Sequence, residues 1–416
     1  MDQALVAKSV FLAVPLLLLG LKLVPLRWAL RIPVALVGAF VLALIISNLL
    51  PSGKLSYLVS FCIMAGIYAI LTLGLNTQWG FTGHLNFGIA GFFAVGAFTS
   101  ALFTTAAPTG IMAQYTQQAF GFEAPFLIGI LAAAIVSGFV AFLIAIPVLR
   151  LRMDFLAIAT IGIAEIIRLI FQNERWLANG PQPLRGIPRP LHCLFDEPSC
   201  APGPLATLLQ PLEPRDYIYF YLCVVTVLLA LTYLLVETAS RSPWGRVLRA
   251  VRDEEQSAAM NGKNITSFRI QSFVVGAAVM GLGGGLYAHY AVTIDYSHFN
   301  PLFATFIVWV MLMLGGSGNN KGAILGAFII WGVWSGTAFL TGMIEPTLAQ
   351  ISQDLPARSA YLRWLLVAIL LAGIVLYRPQ GLIGEEKVVS RYLAKTGIGR
   401  GRRKQARDEE EAEAAS

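Results

Sequence analysis

The stretch "FLAIATIGIAEIIRLIF", Phe155 to Phe171, holds two charged side chains, Glu165 and Arg168, in otherwise apolar surroundings. Three residues apart, they share a helix face and can pair. In a membrane helix each charge costs roughly 2.5–3.5 kcal/mol on insertion scales and by default marks function. A self-neutralising structural pair accounts for them equally well. A second constellation, Asn76, Gln78, Thr82, His84 and Asn86, crowds one short connector in "LGLNTQWGFTGHLNFGIAG". His84 can titrate there, or serve as a hydrogen-bonding residue at a helix break. Irregular backbone at membrane depth is tolerated only where protein or a water-filled cavity satisfies it. Both groups are therefore candidates for a translocation path.

Other chemistries find no residues. "LGGSGNNKG", Leu314 to Gly322, lacks the Gly-Lys-Ser/Thr ending of a phosphate-binding loop, and no strand precedes it. It reads as a turn between helices. No Cys/His cluster has metal-ligand spacing. The chain is expected to carry no catalytic residue, no cofactor, no metal and no nucleic-acid partner.

The elements that position these residues are membrane helices. The chain of 416 residues is 56% hydrophobic and 13% charged, against roughly 25% charged in soluble domains. Uncharged runs long enough for a ~30 Å hydrocarbon core recur throughout: Ile32–Leu50, Tyr57–Leu75, Phe87–Ala107, Pro125–Leu149, Tyr217–Val236, Ser272–Ile294 and Ala323–Thr341. Ser9–Val24, Phe155–Phe171 and Tyr361–Tyr377 are shorter, and Phe303–Leu314 is shorter still. The expected fold is an all-α polytopic membrane protein of about ten or eleven transmembrane helices with no β domain. The first run is read as a retained helix, because no small-residue cleavage site follows it. With eleven crossings and an outer N-terminus, most of the 30 Lys and Arg residues fall inside, as the positive-inside rule requires. Keeping the charged tail inside also requires Phe303–Leu314 to cross; a re-entrant hairpin is the alternative.

This orientation places "SPWGRVLRAVRDEEQSAAMNG", Ser242 to Gly262, in the cytoplasm. Trp244, Val247, Leu248 and Val251 recur at i, i+3, i+4, i+7, one apolar helix face. Arg246, Arg249, Arg252, Glu254 and Glu255 lie mainly on the other. Ser242 suits an N-cap, Pro243 the first helical position, Gly262 a stop, and Thr266 a cap for the helix that follows. Such a segment can lie on lipid headgroups or dock a soluble partner. The glycines of "VVGAAVMGLGGGLYAHY" let helices approach closely; a gating hinge is the other reading. Cys62 and Cys223 fall in apolar helices. Cys193 and Cys200 fall in the long outer loop Gln172–Asp216, where a disulfide can persist; two unpaired thiols are the alternative. The tail from Gly381 carries like-charge blocks of the disordered kind.

Taken in order, "LGLNTQWGFTGHLNFGIAGFFAVGAF", "LAIATIGIAEIIRLIFQN", "RGIPRP" and "SPWGRVLRAVRDEEQSAAMNGKNITSFRIQSFVVGAAVMGLGGGLYAHY" resemble the permease subunits of branched-chain amino acid ABC importers, nearest the LivM type. The resemblance covers roughly Tyr57 to Gly384. It implies extra N-terminal helices in 1–56, a permease core in 57–384 and a charged tail in 385–416. Before "RGIP" this chain has "ANGPQP" where the group has a Gly-rich stretch, with Gly180 standing in for part of it. The resemblance implies a homologous second permease, two cytoplasmic ABC ATPases that consume the ATP, and a periplasmic substrate-binding protein, all at a bacterial inner membrane. It gives Trp244, Arg246, Arg249, Arg252, Glu254 and Glu255 an ATPase-coupling role. A sibling importer of urea, short amides or another small nutrient shares this pattern. A secondary transporter coupled to protons through Glu165 or His84 is the rival of another class.

Overall fold

The structure is a computed structural model that describes residues 8–17, 52–108, 117–191, 216–351, 361–378 and 380–385. Ile32–Leu50, Cys193, Cys200 and the tail from 386 lie outside the described residues. Every regular element described is helical: α1 (Lys8–Leu17), α2 (Ser52–Leu75), α3 (Ile89–Thr104), α4 (Phe126–Val148), α5 (Met153–Asn173) and α6 (Tyr217–Arg241). After these come α7 (Pro243–Asp253), α8 (Glu255–Met260), α9 (Ile265–Ala291), α10 (Phe306–Gly315), α11 (Asn320–Ile351) and α12 (Tyr361–Tyr377). Gly53–Gly80, Phe126–Val148, Tyr217–Arg241 and Ile265–Ala291 are long and apolar enough to cross a membrane.

α3 sits at the centre. Nearly all of its residues are buried, because α4 and α9 flank it and α5 closes a further side. α2 anchors the other half of the bundle, packed against α6, α9, α10 and α11. The glycine-rich run of α9 is pressed between the halves. A Cβ on Gly276 would lie 2.7 Å from the Gly74 carbonyl oxygen of α2, and one on Gly284 would lie 2.3 Å from the Phe93 oxygen of α3. These glycines serve close packing, which drives helix association where lipid removes any hydrophobic difference. The helix begins seven residues before the expected Ser272 and ends at Ala291. Asn264 rather than Thr266 caps it, its side chain accepting from Ser267 N at 3.2 Å.

α10 has ten residues, only ~15 Å of helix. Its ends nevertheless meet opposite ends of α12. Phe303, in the short turn just ahead of α10, lies 6.3 Å from the Trp364 ring, while Leu382, beyond α12, donates to the Leu314 oxygen at 2.8 Å. Residues 301–315 thus lie alongside α12 over most of its length. Burial of Val308, Met311 and Leu312 to 0% exposure explains how so short a helix is held.

"PLRGIPRP" lies along the C-terminal end of α9. Leu184 and Ile294 exchange backbone hydrogen bonds of 2.9 and 3.0 Å. The His289 ring lies 2.7 Å through Nδ1 from the Pro188 oxygen and 3.0 Å through Nε2 from Ser100 Oγ. Gly180 takes a left-handed conformation, φ 61°, so the turn that departs from the Gly-rich pattern keeps a glycine where one is needed.

Candidate functional site where α7 meets the bundle

The connector after α2 begins as a π turn, Asn76–Gly80, a form that appears mostly as single turns within helices and often at functional sites. Most of its polar side chains are buried, and Gln78, Thr82 and Asn86 bond to one another and to α9. Gln78 Nε2 donates to the Phe273 oxygen at 2.8 Å, and Asn86 Nδ2 donates to Gln78 Oε1 at 2.7 Å. Thr82 Oγ1 and Ser272 Oγ are 3.0 Å apart, and His84 Nδ1 lies 2.9 Å from Thr82 Oγ1. Asn86 Oδ1 then accepts from Gly88 N at 2.7 Å, serving a backbone donor ahead of α3. His84 is 4% exposed and its Nε2 has no hydrogen-bond partner among the described residues.

The turn Leu314–Gly322 meets this connector. Asn76 Nδ2 donates to Asn320 Oδ1 at 2.8 Å, Asn76 Oδ1 accepts from Gly318 N at 2.9 Å, and Asn320 Nδ2 donates to Glu237 Oε2 at 2.9 Å. Asn76→Ala would strand Gly318 N and one lone pair of Asn320. A buried group left unpaired costs about 1–3 kcal/mol, so the purified subunit is expected to melt measurably lower, with its insertion unaltered.

α7 lies directly beneath. Its apolar face packs on protein: Leu248 clusters with Phe81 and Val236, and Trp244 and Phe268 pack against them. Trp244 Nε1 also donates to Gln271 Oε1 at 2.9 Å. The expected single helix of about twenty residues is two, because Glu254 breaks it at φ −154°, ψ 99°. Consecutive Asp253, Glu254 and Glu255 explain the break. Carboxylates are unfavourable at a helix C-terminus and favourable at the next N-terminus. Ser242 stands at the N-cap position, but its hydroxyl donates back to the Ala239 oxygen at 2.6 Å. Gly262, with φ 72°, follows α8 as expected.

Arg249 and Arg252, assigned from sequence to the polar face, turn instead toward the bundle. Arg252 donates through Nη1 to the Gly80 oxygen, the last carbonyl of the π turn, and through Nε to Asp253 Oδ1 at 3.0 Å. Arg249 donates to the Ser240 oxygen, and its guanidinium lies 5.9 Å from the Phe81 ring centre. Glu255 pairs with Arg269 at 2.6 Å. Arg246 and Glu254 remain exposed. Four of the polar candidates, Gln78, Thr82, His84 and Asn86, thus share one network, Asn76 joins the Leu314–Gly322 turn, and α7 holds the π turn between them through Gly80. Glu165 and Arg168 stand apart on α5, bonded to each other and adjoining Tyr296. Sequence reasoning did not single out Asn320, Ser272 or Glu237. A signal that could have found them is the likeness of two Gly/Asn connectors, "LNTQWGFTGHLNFG" and "LGGSGNNKG", whose turns touch.

A family model described as branched-chain amino acid transport system / permease component matches residues 57–374. The chain belongs to this permease family. The LivM high-affinity branched-chain amino acid permease protein of Salmonella typhimurium is 29% identical over 330 residues, 78% of this chain and 69% of its own length. The probable LivM permease protein of Methanocaldococcus jannaschii is 27% identical over 358 residues, 79% of this chain and 94% of its own. The corresponding LivM protein of Escherichia coli is 29% identical over 322 residues, 76% and 68% respectively. No solved structure matches the chain significantly. As a permease of this family, the protein is a multi-pass membrane protein, and the family match takes in the π-turn connector and α7.

Proposed function

We propose that this permease is a transmembrane subunit of an ATP-driven importer of branched-chain amino acids in a bacterial inner membrane. It forms the translocation path with a second, homologous permease. Two ABC ATPases bind on the cytoplasmic side and consume ATP, and this chain holds no cofactor of its own. A periplasmic binding protein delivers substrate to the outer face, where 172–216 contributes to the contact.

The observation that carries this reading is the seating of α7. An amphipathic helix resting on lipid turns its apolar face outward to the membrane, whereas Leu248 and Val251 here are buried against the bundle. The surface left free carries Pro243, Arg246 and Ala250, with Glu254 and the 86% exposed Met260 beyond. That mixed apolar and charged surface suits a soluble protein. A motor that moves α7 then pulls on the π turn through Arg252. A ligand shifts such an equilibrium only by binding one state better, so α7 forms different contacts in the two states. Purification of the chain from native membranes is expected to recover an ATPase pair and a second permease. Recovery of the chain alone, with leucine uptake that collapses under an uncoupler while ATP stays high, would replace this reading with a proton-coupled one.

A further inference from the structure

The outward face of α4 is what lipid asks for. Leu127, Leu131, Ile135, Phe139 and Ile146 are all exposed and apolar. α5 is different. Ala164 packs against Gly91 of α3, which leaves the neighbouring Glu165 turned toward the exposed side, its side chain 38% exposed. Around it stand Ile158, Ile161, Ile166 and Leu169, all exposed, and Gly162, where an added Cβ would meet nothing within 4 Å. A partly exposed ion pair on such an apolar helix face is costly against lipid.

The pair is also incompletely engaged. Arg168 donates through Nε to Glu165 Oε2 at 2.9 Å and through Nη2 to Oε1. These are its hydrogen bonds among the described residues, and its guanidinium otherwise lies 5.6 Å from the Tyr296 ring centre. Among the described residues, each Glu165 oxygen accepts from Arg168 alone. A fork of this kind is geometrically matched to any carboxylate, not to Glu165 in particular.

We propose that Glu165 and Arg168 form a direct binding site for a zwitterionic amino acid with an apolar side chain. The substrate carboxylate takes Glu165's place on the Arg168 fork, and the substrate ammonium pairs with the released Glu165 carboxylate. All four charges remain paired, so the exchange exposes no net charge to the low-dielectric interior, where an unpaired ion is strongly disfavoured. The exposed isoleucines and Leu169 on the same helix offer an apolar surface for the side chain. The order of carboxylate, ammonium and side chain around an L-α-carbon fixes which helix position must hold which charge. The inference rests on the amino acid import reading and names the residues that recognise the cargo.

The test uses the assembled transporter in lipid vesicles, saturated with leucine-loaded binding protein so that capture is not limiting. E165Q and R168Q are each expected to lower leucine turnover at least tenfold. The exchanged double variant E165R/R168E restores an ion pair at the same spacing but presents the charges in the wrong order, and it is expected to stay at least tenfold down. All three variants should retain the second permease and the ATPases on purification. Wild-type turnover from the exchanged variant would make the pair structural and overturn the site. Failure of the variants to accumulate, or loss of the second permease from them, would make it a folding or assembly contact and overturn it likewise. A wild-type transporter that imports no leucine would instead sink the parent reading.

Discussion

The double variant R249E/R252E is expected to lose uptake by a hundredfold or more while inserting normally. Both guanidinium groups are inward-facing fasteners. Arg252 holds the Gly80 carbonyl, and Arg249 holds the Ser240 carbonyl and covers the Phe81 ring. A glutamate can donate to neither carbonyl and would set its charge against them. Hydrogen bonds from charged groups contribute about 1.5–3 kcal/mol each, and the cation–π contact adds about 0.5–1 kcal/mol. Every 1.4 kcal/mol is about tenfold in an equilibrium, so losing both fasteners uncouples α7 from the π turn. α7 should remain docked through Leu248 and Val251, which lie 0% and 3% exposed. Uptake by cells, normalised to the amount of subunit in the membrane, checks the expectation. Normal uptake from the double variant would show that the grip on Gly80 is not part of the transport cycle.

Gly96→Val is expected to do the opposite, removing the folded protein rather than its activity. A Cβ at position 96 would lie 2.1 Å from the Gly281 oxygen and 2.5 Å from its Cα. Backbone meets backbone there, and neither α3 nor α9 has room to retreat. Overpacking commonly costs 1–3 kcal/mol and occasionally more; with two helices wedged apart, about 3 kcal/mol or more is expected. The measurement is the yield of monodisperse subunit in detergent and its melting temperature. Gly162→Ala, where nothing lies within 4 Å, should leave both unchanged. Equal losses in the two variants would mean that glycine content, not the α3–α9 contact, sets stability.

What the sequence made legible divides along a physical line. Spans and their polarity depend on local composition, so α2, α4, α6 and α9 stand close to the expected runs. The amphipathic face of α7 follows from spacing alone, and Leu248 and Val251 are indeed its buried side. The break at Glu254 is also local, but the i, i+3, i+4 pattern masks it, because three successive carboxylates disturb backbone electrostatics and not hydrophobic periodicity. The orientation of Arg249 and Arg252 was hidden for another reason. A long basic side chain on the border of a helix face can snorkel either way, and only the carbonyls of Gly80 and Ser240 decide which. Asn76 and Asn320 are 244 positions apart. No pattern in either segment tells that their amides meet. The glycine-rich run of α9 signalled close approach without revealing that it faces two helices at once.

The enclosure of α3 has a consequence for how the molecule is made. This helix leaves the ribosome with its neighbours on one side still unwritten, since α9 begins at Ile265 and α3 ends at Thr104. At bacterial or slower elongation rates of about 5–20 residues per second, roughly ten to thirty seconds separate the two. For that interval a segment destined for the middle of the protein must wait among lipids, with Gly96, the position that Gly281 of α9 will cover, bare on its surface. The newborn chain is therefore most open to wrong partnerships before its last third has been translated.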